Sequence, residues 1–250
     1  MEDIISRYIE AFKVYVDDYD MSNVKIKRKY EHSLRVMELQ KKYAKLLGFE
    51  DEDIELAILI GLLHDIGRFE QLRIYDSFDD LTTIDHALYS VEQLFTKNQI
   101  VRFTNRDDWY PIIEFAIKNH NKVDIPNIDN ERVLKHARLI RDTDKVDIMV
   151  AMVGRAIEDK SSVSSMVMNL FKMHGLIDRK YAKTKSDFIV NQYGFVFNIY
   201  NDIVLEEYKQ NFIKFHESIK DNEKFIEAYE EVIKYIDERI EKYDGNRNKI

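Results

Sequence analysis

The stretch Ile54–Asp65 reads IELAILIGLLHD and ends in an adjacent histidine and aspartate, His64 and Asp65. Residues Ile54–Leu63 are apolar almost all round, which predicts a helix buried on most sides. A buried imidazole or carboxylate is costly unless it is hydrogen-bonded, paired or bound to a cation. Both side chains are metal ligands. The doublet therefore predicts a partner at the end of a buried helix, and a divalent metal ion is the first candidate.

The composition favours a helical globular protein. The chain has 250 residues, of which 45% are hydrophobic and 34% are charged, with only 7 glycines and 2 prolines. This length suits one large domain or two small ones, and the scarcity of glycine and proline favours α-helices. Because there is no cysteine, any metal ion would have to be held by histidine, aspartate and glutamate.

Charge and hydropathy narrow the possible partners. The net charge of −8 weighs against non-specific binding of DNA or RNA, which needs a basic surface. No stretch approaches the roughly 18 consecutive apolar residues of a membrane span, and the first residues do not resemble a signal peptide. We therefore expect a cytoplasmic protein with no nucleic-acid or membrane partner. The basic run Lys25–Lys29 is expected to be a solvated surface rather than a phosphate contact.

Hydrophobic periodicity predicts an all-α fold without a substantial sheet. Helices are predicted over Ile4–Tyr19, Tyr30–Leu47, Asp51–Leu63, about Thr82–Lys97, Trp109–His120, Asp129–Arg155, Ser161–Lys172 and, as one or two helices, Asn201–Tyr243. The helix from Asp129 is either continuous or broken near Thr143. Gly67–Leu81 is interpreted as a loop with at most one short turn. The aromatic and β-branched segment Asp187–Tyr200 is interpreted as a short hairpin or an irregular cap.

Three further candidate ligands lie on the apolar stripes of three other predicted helices. His32 is followed by apolar residues at offsets of 4, 7, 11 and 14. Apolar residues lie at helical spacing both before and after Asp144, and His120 ends a third apolar stripe. Any one of them alone could be a hydrogen-bonded polar residue of the core. Their occurrence together with His64 and Asp65 predicts a shared site.

These residues resemble the pattern of the HD-domain superfamily of metal-dependent phosphohydrolases. Its members show a histidine on one helix, an adjacent His-Asp pair on the next helix and an aspartate on a later one. The matching segments here are Tyr30–Val36 (YEHSLRV), Gly61–Arg68 (GLLHDIGR) and Arg141–Asp147 (RDTDKVD), so the resemblance covers about residues 28–150. It implies an all-helical core, which we place at residues 1–158, with additional C-terminal helices over residues 159–250.

The resemblance also implies a ligand set. It assigns one divalent cation to the residues that match the pattern, which are His32, His64, Asp65 and Asp144. Asp142 and Asp147 are rivals for the last position. Asp144 is preferred because the aspartate of the family is typically followed by a basic and then an apolar residue, as it is here.

His86 and His120 are candidates for a second metal ion or for a phosphate contact. Superfamily members with two metal ions, such as the HD-GYP phosphodiesterases, carry two extra histidines in this interval. His86 does not share the apolar stripe of its predicted helix, so it either faces a cleft from the first turn or is exposed. The GYP portion of that subfamily is absent here, which makes cyclic-di-GMP an unexpected substrate.

The ligand types suggest a mechanism. A cation with open coordination positions lowers the pKa of a bound water and polarises a phosphoryl oxygen. Asp65, Arg68 and Lys145 are the predicted catalytic residues. Arg68 and Lys145 directly follow predicted ligands and either supply positive charge to the phosphate or pair with a supporting carboxylate. Nitrogen and oxygen ligands suit Mn, Fe, Co, Ni or Mg.

The sequence thus predicts a metal-dependent phosphohydrolase that acts on a phosphate ester of a small molecule, with a nucleotide favoured. One alternative is a binuclear phosphodiesterase that uses His86 and His120. The other is a non-catalytic HD module that binds a nucleotide or a partner. One scaffold hosts many substrates in this superfamily, so the fold alone does not identify the substrate.

Overall fold

The described part of the chain is helical. The computed structural model describes residues 2–154, 161–175 and 177–247, and these ranges contain no β-strand. The predicted all-α fold is confirmed. The chain divides into two compact units, Met1–Asp144 and Lys145–Ile250. The domain boundary predicted between residues 158 and 159 lies outside the described residues. No helix in the described ranges combines the length and apolar character that crossing a bilayer requires.

The described residues of the first unit contain six α-helices and the start of a seventh. They are α1 (Glu2–Val16), α2 (Val24–Leu46), α3 (Asp51–Leu63), α4 (Gly67–Tyr75), α5 (His86–Val91), α6 (Tyr110–Asn119) and α7 (Glu131–Met152), which continues into the second unit. The Asn23 side chain accepts a hydrogen bond of 2.9 Å from Lys25 N and caps α2. Asn130 accepts one of 3.1 Å from Val133 N at the start of α7. α7 is continuous through Thr143.

Helix α3 lies in the core of the first unit, as its sequence predicts. All residues from Leu56 to Leu63 are buried. Gly61 allows α2 to approach closely, because a Cβ atom there would lie 3.1 Å from Met37 Cα and 2.7 Å from Gln40 Cγ. The end of α3 is therefore held against α2, which carries His32.

The interpretation of Gly67–Leu81 as a loop was wrong over its first half. Helix α4 begins at Gly67, which permits a close contact with α5. The start of the helix predicted over about Thr82–Lys97 was also wrong. The Asp85 side chain accepts from the amides of Ala87 and Leu88, so α5 begins at His86.

The described residues of the second unit contain four α-helices besides the end of α7. They are α8 (Ser165–Lys172), α9 (Lys185–Tyr193), α10 (Leu205–Glu217) and α11 (Ile226–Arg247). The predicted hairpin or irregular cap over Asp187–Tyr200 was wrong. Thr184 and Asp187 form a reciprocal capping box that starts α9, and a 3₁₀ turn, Gly194–Asn198, continues it. A capping box is a local signal that the aromatic composition of this segment obscured.

Candidate metal centre

Six histidine and aspartate side chains converge in the first unit. Each lies at the end of a helix or on its inward face. His32 lies on α2, His64 and Asp65 at the end of α3, His86 at the start of α5, His120 at the end of α6 and Asp144 on α7. All five elements are separate in sequence. The structure brings together every histidine and aspartate predicted as a metal ligand or phosphate contact.

Four of these side chains form what we call the first ligand set: His32 Nε2, His64 Nε2, Asp65 Oδ2 and Asp144 Oδ1. His32 Nε2 lies 3.2 Å from His64 Nε2 and 3.2 Å from Asp144 Oδ1. Asp65 Oδ2 is 3.5 Å from each of the two imidazole nitrogens, and Asp144 Oδ1 is 3.6 Å from His64 Nε2. Bonds of roughly 2.0–2.2 Å to one ion, at angles of roughly 90–110°, separate neighbouring ligand atoms by about 2.8–3.6 Å. The first ligand set fits a single divalent ion.

The other oxygen of Asp65 belongs to a second ligand set, completed by His86 Nε2 and His120 Nε2. The two nitrogens are 3.0 Å apart, and they lie 3.3 Å and 3.6 Å from Asp65 Oδ1. This oxygen is buried and makes no hydrogen bond with the described residues. A buried carboxylate oxygen between two imidazole nitrogens has the chemistry of a metal ligand, so the second ligand set also fits a divalent ion.

Backbone carbonyls orient two of the histidines. His64 Nδ1 donates to Gly61 O at 2.8 Å, and His120 Nδ1 donates to Ile117 O at 2.6 Å. Both histidines follow the last residue of a helix, where carbonyl groups lack partners within the helix. A proton held on Nδ1 leaves the Nε2 lone pair free, which is the tautomer that a metal ion requires at Nε2.

The ionisation states also suit metal binding, which requires neutral imidazoles and ionised carboxylates. Burial, together with the charge of Arg68, lowers the pKa of His86 to about 4. Burial likewise lowers the pKa of His64. Burial acts to raise the pKa of Asp65, but the Lys29 ammonium and the surrounding imidazoles outweigh it and hold that pKa well below its usual range. The pKa of Asp144 is lowered in the same way, by His32 and His64.

The comparison with known families agrees with this geometry. Residues 30–149 match the family described as HD domain. This segment is an HD domain. It spans all six converging side chains, from His32 to Asp144. HD domains bind divalent metals and characterise a superfamily of metal-dependent phosphohydrolases, some members of which are non-catalytic. No curated protein and no solved structure matches the chain.

Directly before the HD domain lies a lysine that sequence reasoning missed. Lys29 Nζ forms an ion pair with Asp65 Oδ2, and its side chain is only 20% exposed. The interpretation of the whole run Lys25–Lys29 as a solvated surface was therefore wrong for its last residue. Lys29 lies three residues before His32 and so on the same face of α2, which is a signal that the sequence contained.

Arg68 contacts a carboxylate that the sequence did not single out. Its Nη1 atom donates to Asp80 Oδ1 at 2.7 Å, and its Nε atom lies 3.7 Å from Asp65 Oδ1. Arg68 therefore pairs with a supporting carboxylate and also lies beside Asp65, so its role toward a phosphate stays a prediction. Lys145 follows Asp144 on α7 and is buried, but it belongs to the second unit, and its catalytic role stays a prediction.

The structure also bears on which aspartate completes the first ligand set and on whether His86 is exposed. Asp142 and Asp147 are both buried, yet neither belongs to a candidate metal-binding group among the described residues, whereas Asp144 does. His86 is also buried, which excludes the exposed alternative for it.

Proposed function

We propose that this protein is a metal-dependent phosphohydrolase that cleaves a phosphate ester of a small molecule, with a nucleotide as the favoured substrate. One observation supports the proposal most strongly: the two oxygens of Asp65 face two adjacent ligand sets. A site built only for structural stability has no need for a shared carboxylate between two groups of neutral histidines. Adjacent ions are typical of enzymes that stabilise the attacking and leaving oxygens of phosphate esters.

Divalent ions in these sets would supply Lewis acidity and a bound water of lowered pKa. In the proposal, His32, His64, Asp65 and Asp144 hold the first ion, and His86 and His120 hold the second together with Asp65. The residues available at Asp65 for the negative charge of a phosphoryl group are Lys29 and Arg68. Each carries a fixed positive charge next to a ligand and is mostly shielded from water, which strengthens its electrostatic effect.

The substrate proposal rests on charge and access. The net charge of −8 weighs against a nucleic-acid substrate, and the ligand atoms are almost fully buried. The more accessible side chains around them are Asp144 at 15% exposure, Lys29 at 20% and Asp80 at 22%. Such limited exposure of the side chains around the ligands favours a small phosphate ester over a polymer.

The second ligand set favours a second candidate within the same class, a phosphodiesterase that needs both ions. The candidate from another class is a non-catalytic nucleotide-binding module. The cytoplasmic location and the partners of the protein remain predictions for all of these candidates. The two enzymatic candidates differ in whether His86 and His120 are needed for hydrolysis. The module differs from both in having no hydrolytic activity when loaded with metal.

The first experiment is to measure metal content per chain by elemental analysis of protein purified without added metal. Hydrolysis is then measured with Mn, Co, Fe, Ni or Mg, using p-nitrophenyl phosphate, bis-p-nitrophenyl phosphate and a panel of nucleotides. About two ions per chain and diester cleavage support the binuclear phosphodiesterase, and one ion with monoester cleavage supports the mononuclear enzyme. A folded, metal-loaded protein that is inert on the whole panel supports the binding module and contradicts our proposal.

Variants connect the activity to the residues. Asp65→Ala is expected to abolish binding at both ligand sets and most of the activity, and His120→Asn is expected to affect the second set alone. His174→Asn is a matched control, because His174 lies in the second unit and pairs with Glu231 on the surface. Full activity with normal metal content in Asp65→Ala would refute the assignment.

Arg68 has its own test. Arg68→Ala is expected to retain metal at the first ligand set but to lose turnover, because the positive charge beside Asp65 is removed. Metal content and circular dichroism are measured together with kcat. If the variant unfolds or loses the metal of the first set, Arg68 serves the structure of the site rather than the reaction.

A further inference from the structure

His86 differs from the other two oriented histidines in where its helix places it. His64 and His120 follow the ends of helices and donate to carbonyls three residues earlier. His86 is the first residue of α5, so no earlier turn of that helix offers it a carbonyl. Its Nδ1 atom instead contacts Asp80 Oδ2. A side chain thus replaces the backbone acceptor that the other two histidines use.

Asp80 lies outside any helix, and α4 holds the segment that carries it. Gln71 Nε2 donates to Thr83 Oγ1 at 2.8 Å, to Ile84 O at 2.9 Å and to Asp80 Oδ1 at 3.1 Å. Gln71 is fully buried, which restricts its own movement. The segment before α5 is therefore attached to α4 at three points.

Arg68 adds a second attachment from the same helix. Its Nη1 atom donates to Phe78 O at 2.8 Å and to Asp80 Oδ1 at 2.7 Å, and it also donates to Gln71 Oε1 at 2.9 Å. Asp80 thus accepts from Arg68 with one oxygen and from His86 with the other. These two groups are also the ones that lie near Asp65 Oδ1, at 3.7 Å and 3.3 Å.

We propose that Asp80 is the positioning residue of the second ligand set. One of its oxygens keeps the proton of His86 on Nδ1 and so turns His86 Nε2 toward Asp65 Oδ1, while its other oxygen holds Arg68. This inference deepens the proposed function, on which it rests for the use of the second set. A carboxylate in this position fixes the tautomer and orientation of a metal-binding histidine and increases the basicity of the ring. Loss of such a partner typically weakens metal affinity by about 10- to 100-fold.

Asp80→Asn is the most informative variant, because it preserves shape while removing one acceptor. Arg68 and His86 contact different oxygens of Asp80, and an amide has an oxygen at only one of these two positions, so it cannot accept from both groups in this arrangement. Asp76→Asn is the matched control: it makes the same change in the same segment, where the exposed Asp76 pairs with Lys25. Thermal unfolding of both variants verifies that they fold.

The first measurement is the tautomer of His86 in metal-free protein, by ¹⁵N NMR of the histidine rings, with His86→Asn to assign its signal. In the wild type and in Asp76→Asn we expect the proton on Nδ1. In Asp80→Asn we expect a mixture of the two tautomers. An unchanged tautomer in Asp80→Asn would overturn the inference, and this result does not depend on any enzymatic activity.

The second measurement is calorimetric titration of metal-free protein with Mn²⁺. Asp80→Asn is expected to weaken the second equivalent by about 10- to 100-fold while the first changes less than about twofold. Equal weakening of both equivalents, or no weakening, would contradict a positioning role. If the wild type binds one Mn²⁺ and still hydrolyses phosphate esters, the inference fails but the proposed function stands. If the wild type binds two Mn²⁺ ions and hydrolyses none of the phosphate esters, the proposed function fails but the positioning role of Asp80 stands.

Discussion

Substitution of Gly67 by alanine tests whether the contact between α4 and α5 positions the second ligand set. A Cβ atom at Gly67 would lie 2.5 Å from Ser90 N and 2.8 Å from Tyr89 C, whereas ordinary contacts begin at 3.4 Å. Both neighbours are backbone atoms, so no side-chain rotation relieves the overlap. The two helices would have to separate by about 0.9 Å. The hydrogen bond of 3.0 Å from Gly67 N to Ser90 Oγ would lengthen as well.

The expected effect has two parts. Overpacking of a buried contact costs about 1–3 kcal/mol of unfolding free energy, which lowers Tm by roughly 3–10 °C for a chain of this size. His86 lies one helical turn before Ser90 on α5, so it moves with the helix. A shift of about 0.9 Å exceeds the roughly 0.5 Å tolerance of a metal site, so binding of the second Mn²⁺ should weaken more than binding of the first.

The assay combines thermal unfolding by circular dichroism with calorimetric titration of Mn²⁺. Gly194→Ala is the control, because a Cβ atom there meets nothing closer than 3.8 Å. Its stability should change by less than about 1 kcal/mol. If Gly67→Ala matches the wild type in Tm and in both Mn²⁺ affinities, the close approach of α4 and α5 does not determine the position of His86.

Three further predictions concern stability. Mn²⁺ at about 100 times its Kd should raise the unfolding free energy by about 2.7 kcal/mol, measured as an increase in Tm that Asp65→Ala abolishes. Burial lowers the pKa of His136 to about 4, against the opposing effect of Asp53. Between about pH 6.5 and 4 this histidine is therefore protonated in the unfolded chain but neutral in the folded protein. Stability should therefore fall by about 2 kcal/mol between pH 7 and 5, and His136→Gln should reduce this loss in urea titrations. Tyr193→Phe removes a buried hydrogen bond of 2.6 Å to His216 and should cost about 1–3 kcal/mol of unfolding free energy. Tyr208→Phe removes a buried hydroxyl that has no hydrogen-bond partner among the described residues, so it should be neutral or stabilising in the same titration.

The sequence alone determined the helical fold and placed His32 and Asp144 on inward stripes, like the buried His64 and Asp65. That these four side chains share one cation was implied by the resemblance to the HD-domain superfamily and stays a prediction. An apolar helix that ends in His64 and Asp65 requires a partner for two polar groups, and helical periodicity turns His32 and Asp144 toward the same interior. These conclusions depend on local patterns, because side chains on a regular helix repeat every 3.6 residues. The same patterns located α2, α3, α6 and α7 closely enough to identify the site.

Only the tertiary structure decided how the second ligand set is assembled. His86 begins a helix that Asp85 caps, and Asp80 approaches it from a segment without periodicity that α4 holds in place. Gly67 looked like the start of a loop because the sequence does not reveal that another backbone packs against it. Lys29 looked like part of a solvated run because its partner, Asp65, is 36 residues away. Each of these features depends on a contact between distant segments, and periodicity within one helix does not identify the partner in such a contact. For Lys29 the spacing from His32 indicated the face of α2 but not the contact with Asp65.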